Sequence, residues 1–311
     1  MSRVVAVTAT YRRPTEIARL MEALQRSTAP LHGIVVVDNA GDALTRTHVE
    51  GAPLPHHYDA PGENLGCGGG LRRGEEMALQ HFSELTHLWI LDDDTVPAPD
   101  TLTHLLDAMR DADAGAACPQ AYDADGRLNW FPGLRDRRRF DVLRTGATPA
   151  EFVARDSDAP AEFSWATGVA LLVRRDAFEA AGPHRADFWI RGEDLDFSLR
   201  VTAKTTGVYV PRALLAHLPP GGGRVVDDFA ERMKHAAMLQ NCAFLAARTR
   251  HGRGLARHWP GNKWRHMRRF GFTEWGDVAR AFRLGAVLGL PAGAPGGDYF
   301  RQRLARETAR P

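Results

Sequence analysis

Short, unbroken apolar runs that stop at polar or acidic residues recur along this chain, separated by stretches whose apolar residues fall at helical spacing. Val4-Val5-Ala6-Val7 leads to Thr8 and Thr10, Ile34-Val35-Val36-Val37 stops at Asp38-Asn39-Ala40-Gly41, and Leu88-Trp89-Ile90-Leu91 runs into Asp92-Asp93-Asp94-Thr95. A continuous apolar run of that length reads as a strand covered on both faces. Between the first two, Pro14 suits the first turn of a helix reaching about Arg26, with Ile17, Leu20, Met21 and Leu24 on one side. Strand, helix, strand implies a parallel pair joined by a right-handed crossover. Asp38 and Asp92 then share the carboxyl edge of the sheet, where open α/β sheets bind ligands. Pro97 and Pro99 argue against further pairing beyond the acids.

Farther along, a helix is expected to start within Asn64–Glu75 and to carry Met77, Leu79 and Phe82, and another to span about Asp100 to Arg110. Gly115–Cys118 reads as a strand and Asp123–Arg127 as a hairpin turn. Residues 131–160, with Arg137-Arg138-Arg139, lack periodicity and read as a long excursion of the lid or binding-loop type. Phe163 to Arg175 reads as one strand leading into a short helix at Asp176–Ala180. Phe188-Trp189-Ile190-Arg191-Gly192 reads as a loop that opens into a helix at Glu193, and Gly207–Val210 as a strand followed by His217. Pro219-Pro220 and Gly221-Gly222-Gly223 break the chain before a helix over Phe229–Arg248, whose apolar face Gln240-Asn241 interrupts.

Composition narrows the class without naming a chemistry. The chain has 311 residues, enough for one large domain or two; 44% are hydrophobic and 25% charged, ordinary values for a soluble globular enzyme. A net charge of +2 points to no anionic partner in particular. Cys67, Cys118 and Cys242 form neither a disulfide framework nor a zinc pattern. No run approaches the ~18 apolar residues that would span a bilayer, and the first strand begins where a signal peptide would need its apolar core. The expectation is a soluble, cytoplasmic protein.

Candidate chemistry gathers at the polar ends of the strands. Three adjacent carboxylates repel one another and are tolerated facing water or a cation. Oxygen ligands of this kind suit Mg2+ or Mn2+, which complete their shells with substrate phosphates. The alternatives are a solvated acidic turn for Asp92–Asp94 and a turn-forming pair for Asp38-Asn39. In Asn64-Leu65-Gly66-Cys67-Gly68-Gly69-Gly70-Leu71-Arg72-Arg73, glycines and a helix N-terminus could favour an anion, although the spacing fits neither a Rossmann fingerprint nor a Walker A loop, and a connector would look alike. Trp165 and Trp189 suit either sugar stacking or core packing.

The ordered set Thr-Tyr-Arg-Arg-Pro, Val-Val-Asp-Asn, Asn-Leu-Gly-x-Gly-Gly-Gly, the triple aspartate, Trp-Ala-Thr-Gly and Gly-Glu-Asp-Leu-Asp-Phe-Ser-Leu-Arg resembles the family 2 glycosyltransferases over residues 3 to about 217. These are inverting enzymes of the GT-A fold, and the chain looks most like bacterial rhamnosyl- and galactofuranosyltransferase-type members. The resemblance implies an α/β, Rossmann-like mixed sheet flanked by helices. It implies that Thr10, Arg12, Asp38, Asn64, Gly66, Arg73, Asp92 and Asp93 bind the nucleotide-sugar. Asp92, Asp94 and His217 are implied as ligands of Mn2+ or Mg2+, and Asp194 as the base that deprotonates the acceptor. Glu193, with Trp165 and Trp189, falls on the acceptor side. Arg12 stands where many relatives have Asn, Cys67 where many have Gly or Ala, and Gln240 where rhamnosyltransferase-type relatives often have Arg.

The last third is basic and aromatic. From Arg248 to Arg283 there are ten Lys or Arg (Arg248, Arg250, Arg253, Arg257, Lys263, Arg265, Arg268, Arg269, Arg280 and Arg283) against Glu274 and Asp277, with Trp259, Trp264, Trp275, Phe270, Phe272 and Phe282 interleaved. Packing or homo-oligomerisation is the first reading and peripheral contact with the inner face of a membrane the second; no nucleic-acid motif supports a third. The expected organisation is a catalytic domain over 1–218 and a basic, mostly helical region over 219–311. The expected activity is metal-dependent, inverting transfer of a sugar from a UDP-galactofuranose or dTDP-rhamnose type donor. The acceptor is a hydroxyl of a glycan, a lipid-linked intermediate or a small natural product. A nucleotidyltransferase or an inactive nucleotide-binding homologue is the alternative.

Overall fold

The computed structural model describes residues 2–129, 132–134, 159–220, 229–250, 252–253, 264 and 275–288. The chain begins β1 (Val4–Thr10), α1 (Pro14–Gln25), β2 (Leu31–Asp38), α2 (Ala43–Glu50), β3 (His56–Asp59), α3 (Gly66–His81) and β4 (His87–Leu91). β1 runs parallel to β2 and β4, and β3 runs parallel to β2. Thr10 is paired with Asp38 at the carboxyl ends of β1 and β2.

The unbroken apolar runs are explained by cover on both faces. Val4 and Ala6 share one apolar cluster with Ile34, Val36, Trp89 and Leu91, with Ile17, Leu20, Met21 and Leu24 of α1, and with Leu102 and Leu105 of α4 (Thr101–Asp111). Val5, Val7, Val35 and Val37 alternate to the opposite face and are equally buried. On that side α3 closes in: a Cβ on Gly74 would stand 2.7 Å from Val7 Cγ1 and 3.3 Å from Val37 Cγ2. Each fully buried leucine or isoleucine of α1 contributes about 1.5–3 kcal/mol of transfer free energy.

The sheet continues through β5 (Thr95–Pro97), β6 (Ala116–Tyr122), β7 (Leu128–Asn129), β8 (Gly133–Leu134), β9 (Ala161–Trp165), β10 (Ala170–Arg174) and β11 (Gly207–His217), with α5 (Arg175–Ala181) and α6 (Glu193–Thr202) between the last two strands. Its order among the described residues is β3-β2-β1-β4-β10-β6-β11-β9-β8, with β5 on β11 and β7 on β6. β10 is antiparallel to both its neighbours, so the sheet is mixed.

Three expectations need correction. The run Phe163–Arg175 holds two strands that turn near Gly168 and part company: β9 pairs with β11, whereas β10 lies between β4 and β6. Pairing does resume after the acids, because Thr95, Val96 and Pro97 form a short edge ladder against the end of β11, where a proline is tolerated. The last strand reaches His217 rather than Val210. Its register against β6 jumps between Val210 and Leu214, an irregularity spanning Pro211, which carries no ladder donor.

The chain divides into two compact units. The first comprises Met1–Leu65, Gly70–Pro183 and Phe197–Gly223 and holds the sheet. The second comprises Gly66–Gly69, His184–Asp196 and Arg224–Pro311. In the second unit α7 (Phe229–Arg248) and α8 (Trp275–Phe282) share a core of Met233, Ala236, Ala237, Leu239, Val278 and Ala281, with Ile190 packed against it. Phe188 meets Phe244 edge-on at 5.7 Å, with the Arg185 guanidinium over both rings. No helix among the described residues is long and apolar enough to cross a membrane. Most of the 131–160 excursion, including Arg137-Arg138-Arg139, lies outside the described residues, as do Gly221–Gly223 and residues 254–263 and 265–274 of the basic stretch.

Candidate active site

The three acids after β4 take three different environments. Asp92 follows the strand directly, its backbone N–H donating to Val169 O at 3.2 Å and its carbonyl capped by the Thr95 hydroxyl at 2.7 Å. Asp93 is buried and accepts from the Thr10 hydroxyl at 2.6 Å and from Arg13 at 2.7 Å. Burial pushes its carboxyl up to about 6, the neighbouring Asp94 adding to the rise while Arg13 and Thr10 oppose it. Asp94 accepts from Arg13 at 2.9 Å on Oδ2, and its Oδ1 lies 3.1 Å from His217 Nε2. Burial alone would raise Asp94, but the hydrogen bond and charge of His217, with Arg13, hold it below its ordinary value. Burial would likewise lower His217, and Asp94 and then Asp92 reverse that and raise it.

His217 reaches this place because β11 extends to it and the next residue is tied back, Leu218 N donating to Asp94 O at 2.8 Å. Asp92, Asp94 and His217 each present a ligand atom, and the three lie within 4.8 Å of one another. Two carboxylates and an imidazole form a donor set suited to Mn2+ or Mg2+, so the residues fit a divalent cation. The field that favours a proton on His217 would equally favour a cation among these groups.

Of the two adjacent arginines, the resemblance pointed to Arg12, and the structure turns Arg13 inward. Arg12 has φ +57° and is exposed over the Tyr11 ring, whereas Arg13 bridges Asp93 and Asp94. The left-handed residue reverses the chain just before Pro14 and decides which arginine faces the acids. Position alone cannot reveal this.

Asp38 is fully buried at the end of β2. Its carboxylate accepts from Ala40 N at 2.9 Å, Asp42 N at 2.7 Å and the Tyr58 hydroxyl at 2.9 Å. It therefore organises the 38–42 loop, which leads to Asp42 as the cap of α2. Burial, then the bond to Asp38, pushes the Tyr58 hydroxyl up to about 12. Tyr58 sits on a separate strand and had no signal in the sequence. Asn39 accepts from Leu65 N at 3.0 Å, next to the half-buried Asn64. Arg73 is exposed and forks onto Asp59 at 2.5 and 2.9 Å.

The remaining candidates belong to the second unit, apart from Trp165, whose half-buried indole packs over the backbone of Gly133. Glu193 and Asp194 open α6. Asp194 accepts from Leu195 N at 2.7 Å, a first-turn contact favoured by the helix dipole. Glu193 is buried, and its Oε2 has no hydrogen-bond partner among the described residues. Burial, then Asp194, pushes its carboxyl up to about 8, against a hydrogen bond with Cys67 and the charge of Arg191. Cys242 is pushed up to about 12 by burial and then by Asp194, so it stays a thiol. Trp189 is buried as well. Gly66 has φ +75°, and a Cβ there would stand 2.1 Å from the Trp189 ring. This glycine is required by the approach of Trp189, a reason independent of any phosphate.

Asp92, Asp94 and His217 converge at a strand terminus in the first unit, and Glu193 and Asp194 open a helix in the second. The family model for glycosyl transferase family 2 matches residues 5–180. Galactofuranosyltransferase GlfT1 of Mycobacterium tuberculosis is 31% identical over 206 residues, which cover 64% of this chain and 64% of that protein. This chain thus spans less than two thirds of that relative's length. The N-acetylglucosaminyl-diphospho-decaprenol L-rhamnosyltransferase of the same species is 28% identical over 232 residues, covering 69% of this chain and 75% of the relative. Among solved structures, the mannosyltransferase PcManGT from Pyrobaculum calidifontis, in complex with GDP-Man and Mn2+, matches with a TM-score of 0.56 at 18% identity, covering 99% of this chain and 81% of that one. S. aureus TarS 1-349 in complex with UDP-GlcNAc matches at 0.57 and 12%, covering 90% and 79%. The fold is the expected GT-A arrangement of a mixed sheet flanked by helices, and the chain belongs to glycosyl transferase family 2.

Proposed function

We propose that this chain is a divalent-metal-dependent, inverting glycosyltransferase that moves a sugar from a nucleoside diphosphate sugar to an acceptor hydroxyl. The observation that carries the reading is the convergence of Asp92, Asp94 and His217 at the carboxyl end of β4. A site of that composition meets the diphosphate of a nucleotide-sugar, and a bound Mn2+ or Mg2+ would stabilise the negative charge of the leaving group. Arg13 holds Oδ2 of Asp94 and leaves Oδ1 toward His217. Thr10, Arg12, Asn64, Gly66, Arg73 and Asp93 are proposed for the donor side, with Asp38 acting through the loop it organises.

Asp194 is proposed as the base that takes the acceptor hydroxyl's proton as its oxygen attacks the anomeric carbon. The bond to the nucleoside diphosphate breaks in the same displacement, so the anomeric configuration inverts. Glu193, with its carboxyl pushed up to about 8, is neutral at pH 7 and does not compete for that proton. Trp165, Trp189 and Glu193 remain the proposed acceptor side, with catalysis assigned to residues 1–218 and residues 219–311 proposed as a basic, mostly helical region. The names of the two mycobacterial relatives support galactofuranose or L-rhamnose as the sugar moved, and one of them a lipid-linked acceptor; UDP-galactofuranose or dTDP-rhamnose is the donor we propose on that basis.

The test is product analysis with the full chain and each of UDP-galactofuranose, dTDP-rhamnose and GDP-mannose, with Mn2+ or with a chelator. Release of UDP or dTDP from one of the first two, lost on chelation, is the expected result. Pyrophosphate as product would indicate nucleotidyl transfer instead, and turnover untouched by chelation would remove the metal from the reading.

A further inference from the structure

The two residues before Glu193 hold a backbone conformation that side chains resist. Arg191 has φ +61° and Gly192 φ +98°. Glycine enters that region freely, whereas an arginine stays there only when its surroundings over-determine it. Those surroundings are supplied by α7. Asn241, 1% exposed, donates its side-chain amide to two successive carbonyls, Arg191 O at 2.8 Å and Ile190 O at 3.3 Å. Nearer the start of the same helix, Glu231 accepts from the Arg191 guanidinium at 2.6 Å. A Cβ on Gly192 would stand 3.3 Å from the Asn241 Cβ, so the turn also packs directly on the helix. Asp196 N bonds back to Gly192 O at 3.0 Å. The turn is therefore where α6 starts, and its conformation sets the direction in which Glu193 and Asp194 leave it.

Asn241 is not explained by the packing of α7. It interrupts the apolar face that carries Met233, Ala237 and Leu245, where an apolar residue would bury more surface and need no partner. A buried amide is retained where its hydrogen bonds are used, and these two are made to the turn.

We propose that Asn241 and Glu231 are positioning residues for Asp194: through two carbonyls and one guanidinium, α7 fixes the 190–192 turn and so aims the acid. The proposal rests on Asp194 as the base, and neither positioning residue touches substrate.

Asn241→Asp keeps the size and removes both donors. It should accelerate amide hydrogen exchange in a peptide spanning residues 190–196 and lower kcat by about ten- to a hundred-fold, the scale of a small misplacement of a reacting group. The KM for the donor and the thermal stabilisation by UDP with Mn2+ should be unchanged. Turnover is read as nucleoside diphosphate release from whichever of UDP-galactofuranose and dTDP-rhamnose is used. Glu231→Ala should show a smaller effect of the same kind, and Glu231→Gln, which still accepts from Arg191, should restore it. Wild-type exchange over 190–196 in both Asn241→Asp and Glu231→Ala would overturn the proposal. If Asn241→Asp fails to fold, Glu231→Ala against Glu231→Gln decides alone, and equal exchange in the two is the overturning result. Full turnover in Asp194→Asn would remove the base assignment instead, while the exchange data would still decide whether α7 holds the turn.

Discussion

Arg13 binds one oxygen of Asp93 and one of Asp94, and it is the only cationic side chain paired with both among the described residues. Its side chain is 36% exposed, so solvent screens part of the interaction. Arg13→Met should destabilise the chain by about 1–2 kcal/mol, the low end of the range for hydrogen bonds to charged groups once screening is allowed for. In urea titrations the loss should shrink when Mn2+ is present, because an ion held by the proposed ligands would offset the charge of Asp94, which Arg13 also binds. An equal loss with and without Mn2+ would separate Arg13 from the metal group. Asp94→Ala should abolish the Mn2+-dependent rise in melting temperature caused by UDP or dTDP, since a ligand that binds only the folded state raises its stability. Retention of that rise would exclude Asp94 as a ligand. The place of Asp92–Asp94 at the end of a buried strand was legible in the sequence, whereas His217 was reached only through the family resemblance. The inward arginine and Tyr58 were not legible: one depends on a single left-handed residue at Arg12, the other on a strand pairing remote from Asp38.

At the scale of elements, α1 shows what the apolar pattern does carry. Ile17, Leu20, Met21 and Leu24 were read as one face and are all buried, with Leu20 in the same cluster as Val4, Ile34 and Trp89. Leu20→Ala should cost about 2–5 kcal/mol, measured by urea unfolding, through lost transfer energy and the cavity left behind. Nucleotide binding at temperatures where the variant is folded should be retained, because Leu20 contacts the core and none of the acids' partners. A loss below about 1 kcal/mol would mean that the site collapses around the smaller side chain. The strands β1, β2 and β4 were equally legible, since both their faces are covered. β9 and β10 were not separable by pattern: the residues on either side of Gly168 are all apolar or small, and only the pairing partners distinguish the two strands. The reach of β11 was hidden by Pro211, which looks like a strand terminator and is a register shift within one strand.

For the molecule as a whole, the buried Glu193 makes stability depend on pH in a direction opposite to the usual carboxylate. Its ordinary value is 4.5 and burial pushes it up to about 8 in the folded chain. Below about pH 4.5 the group is protonated in both states, and its contribution is fully present. Between 4.5 and 8 the folded chain keeps a proton that the unfolded chain has released, so unfolding is favoured progressively as pH rises. One proton corresponds to a slope of at most ~1.4 kcal/mol per pH unit. Asp93, pushed up to about 6, acts in the same direction over a lower window, and His217, raised by Asp94, also loses stabilisation as pH rises. The wild type alone would therefore not isolate Glu193. The difference between the wild type and Glu193→Gln does, because the other groups cancel while the amide keeps the shape and cannot ionise. Urea midpoints taken from pH 5 to pH 9 should show Glu193→Gln gaining on the wild type as pH rises, with the gain levelling off above pH 8. A difference that stays constant across that range would mean that Glu193 ionises at its ordinary value. The neutral neighbour assumed beside the proposed base would then be lost, and with it the argument that Asp194 alone accepts the acceptor's proton at pH 7.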